Sequence, residues 1–455
     1  MCFLNGVYRR ESESIARVEI TTKTVEVAAA AQRTAARWSL VAPTLFMLVV
    51  INQLDKTNIA VIVADRRFLF DMALTKQPAR IGLLSTIFFF GYGAGLFAWG
   101  FVVDRLGPRR SAMIGVCGWA LTTMWCGIAH GIYELYFARF VLGVTEGCIW
   151  PVCNTYSSRW FPLRERGRIQ SLWVNGNQVG LALGVPIVAY LTEVGGWRVV
   201  FWALGVGSLA LLLPMLFFLA ADEPGASRYA NGEEQRYIAS HRAGGSAEMS
   251  AEHCGKLGAL LTDSSFWIVT LCHAGTVATL FGLATWIPTY LTQVRGIPFD
   301  ALKAWIALSY LLPITVALCM GYFADRTMRP AMVSAGTSTV VAATVLASVT
   351  VSNTVVCVLL LVTVLAAPMI YGAMNASIMQ GLVQSEQIGR ATGVFVGAGN
   401  LIGGLAPVII GYLIGVSGGR YLAAFGFISA VNLVLVILYS LMDLKSKRAT
   451  EAFAG

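Results

Sequence analysis

Charged residues are scarce in this sequence: only 13% of its 455 residues are Asp, Glu, Lys or Arg, against about 25% in typical soluble domains. Such a chain has too little polar material to coat a water-facing surface, which excludes a soluble globular protein and a disordered one. The sequence also has no G-x-x-x-x-G-K-[ST] loop, no CxxC pair and no His/Cys ligand spacing. We therefore expect no nucleotide-driven step, no metal, no cofactor, no catalytic residue and no enzyme activity.

Apolar residues make up 56% of the chain, and the mean hydropathy is +0.68. A helix needs about 20 apolar residues to cross a hydrocarbon core about 30 Å thick. This rule predicts an all-α membrane protein with twelve transmembrane helices. The predicted spans lie near residues 40–64, 80–103, 111–129, 133–155, 169–192, 197–220, 265–291, 302–323, 331–350, 354–379, 391–415 and 420–442.

One long polar stretch divides the twelve predicted spans into two sets of six, and the two sets resemble one another. Six pairs of identical residues lie 221 positions apart: Gly100 and Gly321, Asp104 and Asp325, Arg105 and Arg326, Glu165 and Glu386, Gly176 and Gly397, Pro186 and Pro407. A common offset in separate segments indicates a duplicated six-helix unit. The predicted organisation is an N-terminal tail at 1–37, a six-helix bundle at 38–220, a linker at 221–263, a second six-helix bundle at 264–442 and a C-terminal tail at 443–455.

Positive charges fall mostly in segments that would share one side of the membrane. Of the 33 Lys and Arg residues, 23 lie in the tails, the linker and alternate short connections, whereas eight lie in the remaining connections. This asymmetry follows the positive-inside rule and predicts that both termini are cytoplasmic. The net charge of +9 is then a topology signal, and we expect no nucleic-acid partner. Residues 1–37 have no apolar h-region, so we interpret them as a tail rather than a signal peptide.

A loop rich in glycine and arginine follows the second predicted span: Gly100-Phe-Val-Val-Asp104-Arg105-Leu-Gly107-Pro-Arg109-Arg110. It resembles the signature loop of the major facilitator superfamily. The resemblance implies two pseudo-symmetric six-helix bundles and secondary transport by alternating access. It also implies a conformational latch formed by Gly100, Asp104, Arg105, Gly107, Arg109, Asp325 and Arg326. We expect Gly100 to permit a close helix approach; an ordinary positive loop explains the arginines but not the glycine and aspartate spacing.

Motifs in the first and fourth predicted spans narrow the family. The motifs are Asn52-Gln53-Leu-Asp55-Lys56-Thr-Asn58, Arg139-Phe-Val-Leu-Gly143-Val-Thr-Glu146 and, after the fourth span, Trp160-Phe-Pro-Leu-Arg164-Glu165-Arg166. Over residues 40–442 the chain resembles the anion:cation symporter family, which includes sugar-acid, phthalate-type and vesicular organic-anion transporters. Family members usually have arginine where this chain has Lys56, and sugar-acid members often have tyrosine where it has Gln53. The resemblance implies a bacterial inner-membrane protein, which we expect to be monomeric.

Four charged residues fall inside apolar spans: Asp55, Lys56, Arg139 and Glu146. A charge at the bilayer centre costs at least about 2.5–3.5 kcal/mol, so each must face a partner or a cavity. The resemblance implies that the first and fourth helices line the central cavity. We therefore predict one shared pocket, in which Lys56 and Arg139 bind an anion while Asp55 and Glu146 carry coupling protons. The alternative is a pair of static salt bridges between helices.

Other polar or aromatic residues on the spans are weaker candidates for substrate contact. Gln178 and Asn400 match positions where family members contact substrate, and Asn175 lies three residues before Gln178. Gln53 and Trp286 complete the set of candidates. The alternative for these side chains is ordinary hydrogen bonding between helices.

The function predicted from these residues is import of an organic anion by proton symport. The favoured substrate is a sugar acid such as a hexonate or hexuronate, or another small carboxylate, and an aromatic carboxylate is the first alternative. Efflux of a drug or metabolite by proton antiport, a non-transporting sensor and an anion uniporter also remain open. The expected partners are the organic anion, protons and the lipid bilayer.

Overall fold

The computed structural model describes residues 36–241, 262–298, 330–382 and 388–454. This part of the protein is helical, and no β-strand occurs in it. Its α-helices are α1 (Ala42–Ile62), α2 (Arg66–Asp71), α3 (Pro78–Leu106), α4 (Pro108–Ile128), α5 (Ile132–Glu146), α6 (Ile149–Trp160), α7 (Leu163–Pro214), α8 (Gly232–Ser240), α9 (Ser264–Gln293), α10 (Pro330–Thr350), α11 (Thr354–Leu382), α12 (Ile388–Gly403), α13 (Ala406–Val416) and α14 (Tyr421–Ala454). Short π-helical segments adjoin α1 and α7, at Arg37–Val41 and Met215–Leu219, and a 3₁₀ turn at Pro224–Ala226 precedes α8.

Eight helical segments in the described residues are long and apolar enough to cross a membrane. Eleven of the twelve predicted spans fall within helices of the structure. The eighth predicted span, near residues 302–323, lies outside the described residues. The two counts differ because α7 contains both the fifth and the sixth predicted span, and because the fourth is divided between α5 and α6. In addition, the eighth is not described, and the tenth is represented among the apolar helices only by the shorter stretch Thr354–Leu365. The all-α membrane fold is therefore confirmed, and the described helices are consistent with twelve spans.

Glycines mark two sharp changes of chain direction. Gly196 has φ +79° inside α7, where the fifth and sixth predicted spans meet. Gly107 has φ +80° between α3 and α4. Both conformations are ones that glycine adopts without steric cost. A third interruption, at Gly147 between α5 and α6, was not expected, because the fourth span was predicted as one helix.

Helix α3 packs closely against α12 and α13, and so joins the first half of the chain to the second. A Cβ atom added to Gly82 would lie 2.1 Å from the carbonyl oxygen of Pro407. One added to Gly411 would lie 2.3 Å from the carbonyl oxygen of Pro78. These contacts are at the end of the bundle where α1 ends and α3 begins, opposite the side on which α1 starts. The two halves therefore meet backbone to backbone at this end.

The short helix α8 is fastened to the start of the first transmembrane segment. Arg37 forms ion pairs with Glu165 at 2.9 Å and with Glu234 at 2.8 Å. Glu234 is fully buried, and its carboxylate also accepts hydrogen bonds from the backbone amides of Ala36 and Arg37. The Tyr237 hydroxyl donates to Glu165 from the same helix. This cluster ties the segment that follows α7 back to the first half of the protein.

Candidate functional site

Close packing of α3 on α5 positions Arg139, one of the four membrane-embedded charges. Glycines on both helices allow the backbones to touch: a Cβ on Gly91 would lie 2.1 Å from Phe140 O, and a Cβ on Gly143 would lie 2.2 Å from Phe88 O. Small residues at such spacing are the usual means of close helix approach in membranes. Because Arg139 lies four residues before Gly143, this contact fixes it beside α3.

A second close contact, between α1 and α7, positions Gln53. A Cβ on Gly180 would lie 2.5 Å from Val50 O and 2.8 Å from the Cβ of Gln53. Gly176 and Gly184 approach Phe46 and Thr57 of α1 in the same way. The side of α1 that carries Gln53 is therefore held against α7, and its neighbouring residues face the other helices of the first half.

Glu146, at the end of α5, is fully buried against α1. Its Oε2 accepts a hydrogen bond from Asn52 Nδ2 at 2.9 Å. The same oxygen lies 3.9 Å from Lys56 Nζ, which is a long ion pair. Its other oxygen, Oε1, has no hydrogen-bond partner among the described residues. A buried carboxylate with one unsatisfied oxygen is costly, so Oε1 can accept a hydrogen bond from a further donor.

Asp55 is 1% exposed and is held by two hydrogen-bond donors, one on each oxygen. Thr123 of α4 donates to Oδ2 at 2.9 Å, and Asn58 donates to Oδ1 at 3.1 Å. The oxygen of the Asn58 amide in turn accepts a hydrogen bond from Arg139 Nη1 at 3.4 Å. Within the described residues, Asp55 has no cation within 4.0 Å, so it communicates with Arg139 through an amide rather than by direct pairing.

Both cations also lie over aromatic rings of α3. Lys56 Nζ is 4.1 Å from the centre of the Tyr92 ring, and Arg139 Cζ is 4.9 Å from that of Phe88. Such contacts stabilise a cation that has little water around it. Arg139 is 1% exposed, and its Nε has no hydrogen-bond partner in the part of the chain that the structure describes. Donor capacity on Arg139 is thus available for a further acceptor.

A cavity lies between the two halves of the chain, bounded by α1, α3, α5 and α7 on one side and by α9 and α11 on the other. The space between the lining atoms, with open solvent included, measures about 680 Å³. Lys56, Arg139 and Gln53 line it, whereas Asp55 and Glu146 do not. The four charges are therefore arranged in two layers, with the cations at the cavity wall and the carboxylates behind them.

The remaining predicted contact residues lie outside the cavity lining. Gln178 is buried on α7, while Asn175 is exposed and donates to Ser171 O of its own helix. Asn400 likewise donates to Val396 O within α12. Trp286 is buried, and its Nε1 donates to a carbonyl oxygen of α13. Substrate contact by these four side chains remains a prediction.

The loop predicted to act as a latch is joined to the end of α7. The backbone amide of Arg109 donates to Asp222 Oδ1 at 2.8 Å, and its guanidinium donates to Leu216 O at 3.1 Å. A Cβ on Gly107 would lie 2.7 Å from the same Asp222 oxygen, so the carboxylate and the positive φ both favour glycine. This loop is therefore anchored within the first half.

Other members of the predicted latch show fewer contacts. No described atom lies within 4 Å of a Cβ added to Gly100, so the close helix approach expected there is not seen in this part of the structure. Asp104 and Arg105 are exposed at the end of α3. Asp325 and Arg326 lie outside the described residues. The latch role of all these residues stays a prediction.

Sequence reasoning left several residues of this site without a role. Asn52 and Asn58 stand three residues on either side of Asp55, a helical spacing that could have placed them on its face. The glycine pairs Gly91/Gly95 and Gly143/Gly147 were also readable as close-contact motifs. Thr123 gave no such signal, because threonine is a common residue on apolar helices.

Three comparisons with known proteins identify the family and the fold of this chain. A family model described as Major Facilitator Superfamily matches residues 45–385. The chain is 28% identical over 414 residues to the D-galactonate transporter of Escherichia coli O6:H1, covering 88% of this chain and 94% of that protein. It is 26% identical over 433 residues to the probable galactarate/D-glucarate transporter GudP of Escherichia coli K12, covering 90% and 93%.

Among solved structures, the chain is similar to a bacterial homologue of the human lysosomal transporter Spinster in an inward-facing, unoccupied conformation. The TM-score is 0.71 at 17% identity, covering 90% of this chain and 96% of that one. At this identity the likeness shows a shared fold. Together with the family match, it confirms the fold that the signature loop predicted.

Proposed function

We propose that this chain, which belongs to the major facilitator superfamily, imports a small organic carboxylate together with protons by alternating access. Relatives that span most of its length are transporters named for sugar acids, which supports anion transport. The proton, the direction and the particular carboxylate are our own inference from the charges around the cavity.

The observation that carries the proposal is the position of the two cations. Lys56 and Arg139 line the cavity, and Arg139 Nε lacks a partner among the described residues. A cation at membrane depth with an unsatisfied donor is unfavourable, and a carboxylate that enters the cavity relieves this cost. Two cations at the wall of one cavity thus favour an anionic substrate over the amphipathic cations typical of drug efflux.

The carboxylates behind the cations supply a coupling step. When Glu146 is ionised, it shares Lys56 with any anion in the cavity, and the sum of charges is unfavourable for binding. Protonation of Glu146 removes that competition, so the substrate carboxylate becomes the counter-charge of Lys56. Proton and substrate then increase each other's affinity, and this linkage is reciprocal by thermodynamic necessity.

The static salt-bridge alternative is weakened by the geometry. The Lys56–Glu146 distance of 3.9 Å is at the limit of an ion pair, and one oxygen of Glu146 is unsatisfied within the described residues. A buried pair that serves stability alone needs good geometry and complete hydrogen bonding to offset its desolvation. An arrangement with spare donors and acceptors is better suited to exchanging partners.

The favoured substrate is a sugar acid. Its carboxylate would contact Lys56 and Arg139, and its hydroxyls would meet the polar part of the lining, which includes Gln53, Ser85 and Thr285. An aromatic carboxylate is the second candidate, because phenylalanines form another part of the wall. The rings of Phe89 and Phe281, from opposite halves of the chain, lie 4.3 Å apart at that wall.

The proposal includes an arrangement in the cell. The protein would lie in a bacterial inner membrane as a monomer, with both termini cytoplasmic and with its two six-helix bundles rocking about the cavity. The contacts of α3 with α13 would then close the side away from the cytoplasm. The loop around Gly107 and Arg109 would stabilise one of the access states.

The test is uptake by the purified chain in proteoliposomes under an imposed pH gradient. Hexonates, hexuronates, dicarboxylates and aromatic acids are screened for accumulation that requires inward-directed protons. Glu146→Gln and Asp55→Asn should abolish accumulation while sparing substrate exchange. Glu134→Gln is the matched control, because Glu134 lies on the same helix at its exposed end and contacts Trp125 and His130 instead.

Other outcomes would replace the proposal. Accumulation driven by outward-directed protons would indicate antiport, and equilibration without accumulation would indicate a uniporter. Absence of any movement of the screened anions, in vesicles where the protein is folded, would contradict anion transport at this cavity.

A further inference from the structure

The Asp55 carboxylate does not line the cavity, so its protonation must reach the substrate through another residue. It is enclosed by α4 and α5 as well as by its own helix. The titratable and charged groups that act on it electrostatically in the described residues are Lys56, Arg139, Glu146 and Cys126. Its direct hydrogen-bond partners are two neutral side chains, Thr123 and Asn58.

The two hydrogen-bond partners of Asp55 differ in whether they can accept a hydrogen bond from a protonated carboxyl group. The Asn58 group that faces Oδ1 is an NH₂, which only donates, and its oxygen already accepts from Arg139. The Thr123 group that faces Oδ2 is a hydroxyl, which both donates and accepts. A proton on Oδ1 would therefore lose a hydrogen bond, whereas a proton on Oδ2 would keep one, because the Thr123 hydroxyl can rotate to accept it.

We propose that Thr123 is a positioning residue for coupling, which directs the proton of Asp55 to Oδ2 and leaves Oδ1 to hold Asn58 and, through it, Arg139. In the ionised state Thr123 donates to Oδ2. In the protonated state Oδ2–H donates to Thr123, whose own hydrogen turns to a carbonyl of the preceding turn. The inference rests on the proposed proton coupling and extends it to the third transmembrane helix, which contributes no residue to the cavity lining described above.

The substitution Thr123→Val removes the hydroxyl and keeps the shape. A hydrogen bond to an ionised group is worth about 1.5–3 kcal/mol, and one between neutral groups about 0.5–1.5 kcal/mol. Because Thr123→Val removes a bond from both protonation states, the titration midpoint of Asp55 should move to higher pH by the difference between them, which is roughly one pH unit at about 1.36 kcal/mol per unit. Thr123→Ser, which restores the hydroxyl, should return the midpoint to that of the unmodified protein.

The matched control is Thr122→Val. Thr122 is the neighbouring residue on α4, but its hydroxyl donates to Gly118 O and Trp119 O of its own helix. The same change at this position should leave the midpoint unaltered. If Thr123→Val is not recovered folded, Thr123→Ala removes the same hydroxyl and takes its place.

The measurement is infrared difference spectroscopy of the full chain in lipid, titrated against pH. The carboxyl band of Asp55 is assigned by its loss in Asp55→Asn. Thr123→Val should change both the frequency and the midpoint of that band, which a merely structural role would not do. An unchanged band in Thr123→Val, or an equal change in Thr122→Val, would overturn the inference. Because this readout needs no substrate, it can fail independently of the proteoliposome test of proton-driven uptake.

Discussion

The side-chain oxygen of Asn58 accepts a hydrogen bond from Arg139 Nη1 at 3.4 Å, while the nitrogen of the same amide donates to Asp55. One amide thus contacts a carboxylate behind the cavity and a cation at its wall. An amide is suited to this position, because it offers a donor to one charge and an acceptor to the opposite charge at the same time.

Replacing Asn58 by leucine should raise the KM for the transported anion about ten- to a hundredfold. The change removes the hydrogen bond that positions Arg139 at the cavity wall, and a bond to a charged group is worth about 1.5–3 kcal/mol, where about 1.4 kcal/mol is a factor of ten. The KM is measured from the initial rates of uptake into proteoliposomes. Asn177→Leu is the control, since that amide donates to Val174 O of its own helix. A KM for Asn58→Leu within twofold of the unmodified protein would show that the bridge is dispensable.

The charge of Lys56 should matter for substrate affinity, and its shape much less. We expect Lys56→Met to raise the KM at least about tenfold, and Lys56→Arg to retain affinity. The longer planar fork of arginine should also tighten the contact to Glu146, which now rests on a single distance of 3.9 Å. Lys76→Met, in the exposed turn before α3, serves as the control for loss of a lysine. If neither Lys56→Met nor Arg139→Met altered the KM, the anion would bind elsewhere.

Contact between α3 and α13 should be required to close one end of the cavity. In Gly82→Leu the new side chain collides with backbone at Pro407, since even a Cβ would lie at 2.1 Å. We expect uptake to fall at least tenfold. Access to the cavity is measured with Ala60→Cys in a chain without other cysteines, because Ala60 lines the cavity. In Gly82→Leu this cysteine should react faster with an impermeant maleimide. Gly207→Leu should do neither, because no described atom lies within 4 Å of a Cβ there. Unchanged labelling in Gly82→Leu would exclude this closure.

A pH-dependent contribution to stability should come from the connection between α1 and α3. The Trp197 Nε1 donates to Asp71 at 2.8 Å and Arg198 pairs with it at 3.0 Å, and these contacts hold the pKa of Asp71 below its ordinary value. The folded state therefore favours the ionised carboxylate of Asp71. The resulting stabilisation is fully present above the pKa of Asp71 in the unfolded chain, about 3.9, and is lost as the pH falls through the lower pKa of the folded protein.

Thermal unfolding of Asp71→Ala measures this effect. Because the pair is exposed, we expect a loss of only about 0.2–1 kcal/mol at pH 7, which shrinks towards zero below pH of about 4. Trp197→Phe, which removes the donor, should reproduce part of the pH-dependent loss. Because Trp197 is buried, this change should add a packing loss that does not vary with pH. If the difference in unfolding free energy between Asp71→Ala and the unmodified protein stays constant over this pH range, the ionised carboxylate is not its source.

The spans and the charged residues were predictable, and the reason is physical. Charges at bilayer depth are costly and rare, so Asp55, Lys56, Arg139 and Glu146 stand out against an apolar background. Helix length follows from bilayer thickness, which is why eleven spans coincide with helices of the structure. Neither rule, however, predicts how each helix is rotated about its axis relative to its neighbours.

The rotation of each helix determines which side chains face the cavity, and the sequence did not predict this. Lys56 faces the cavity while the adjacent Asp55 faces α4, and no linear pattern distinguishes them. Thr123 and Asp222 acquire partners far away in the chain, Asp55 and the amide of Arg109, through packing that only the folded backbone defines. At the interruption between α5 and α6, Gly147 lies against the backbone of α3, a contact that the linear sequence does not show either.

Because the backbones of α3 and α5 are in contact, this transporter should be sensitive to substitution at positions that have no charged or polar side chain. A single methyl group at Gly91 or Gly143 would meet a main-chain oxygen at little more than 2 Å and push the two helices apart. Every ionisable side chain would survive such a change, yet Arg139 would leave its place over Phe88. A random search for inactive variants should therefore recover replacements of these glycines as well as losses of charge.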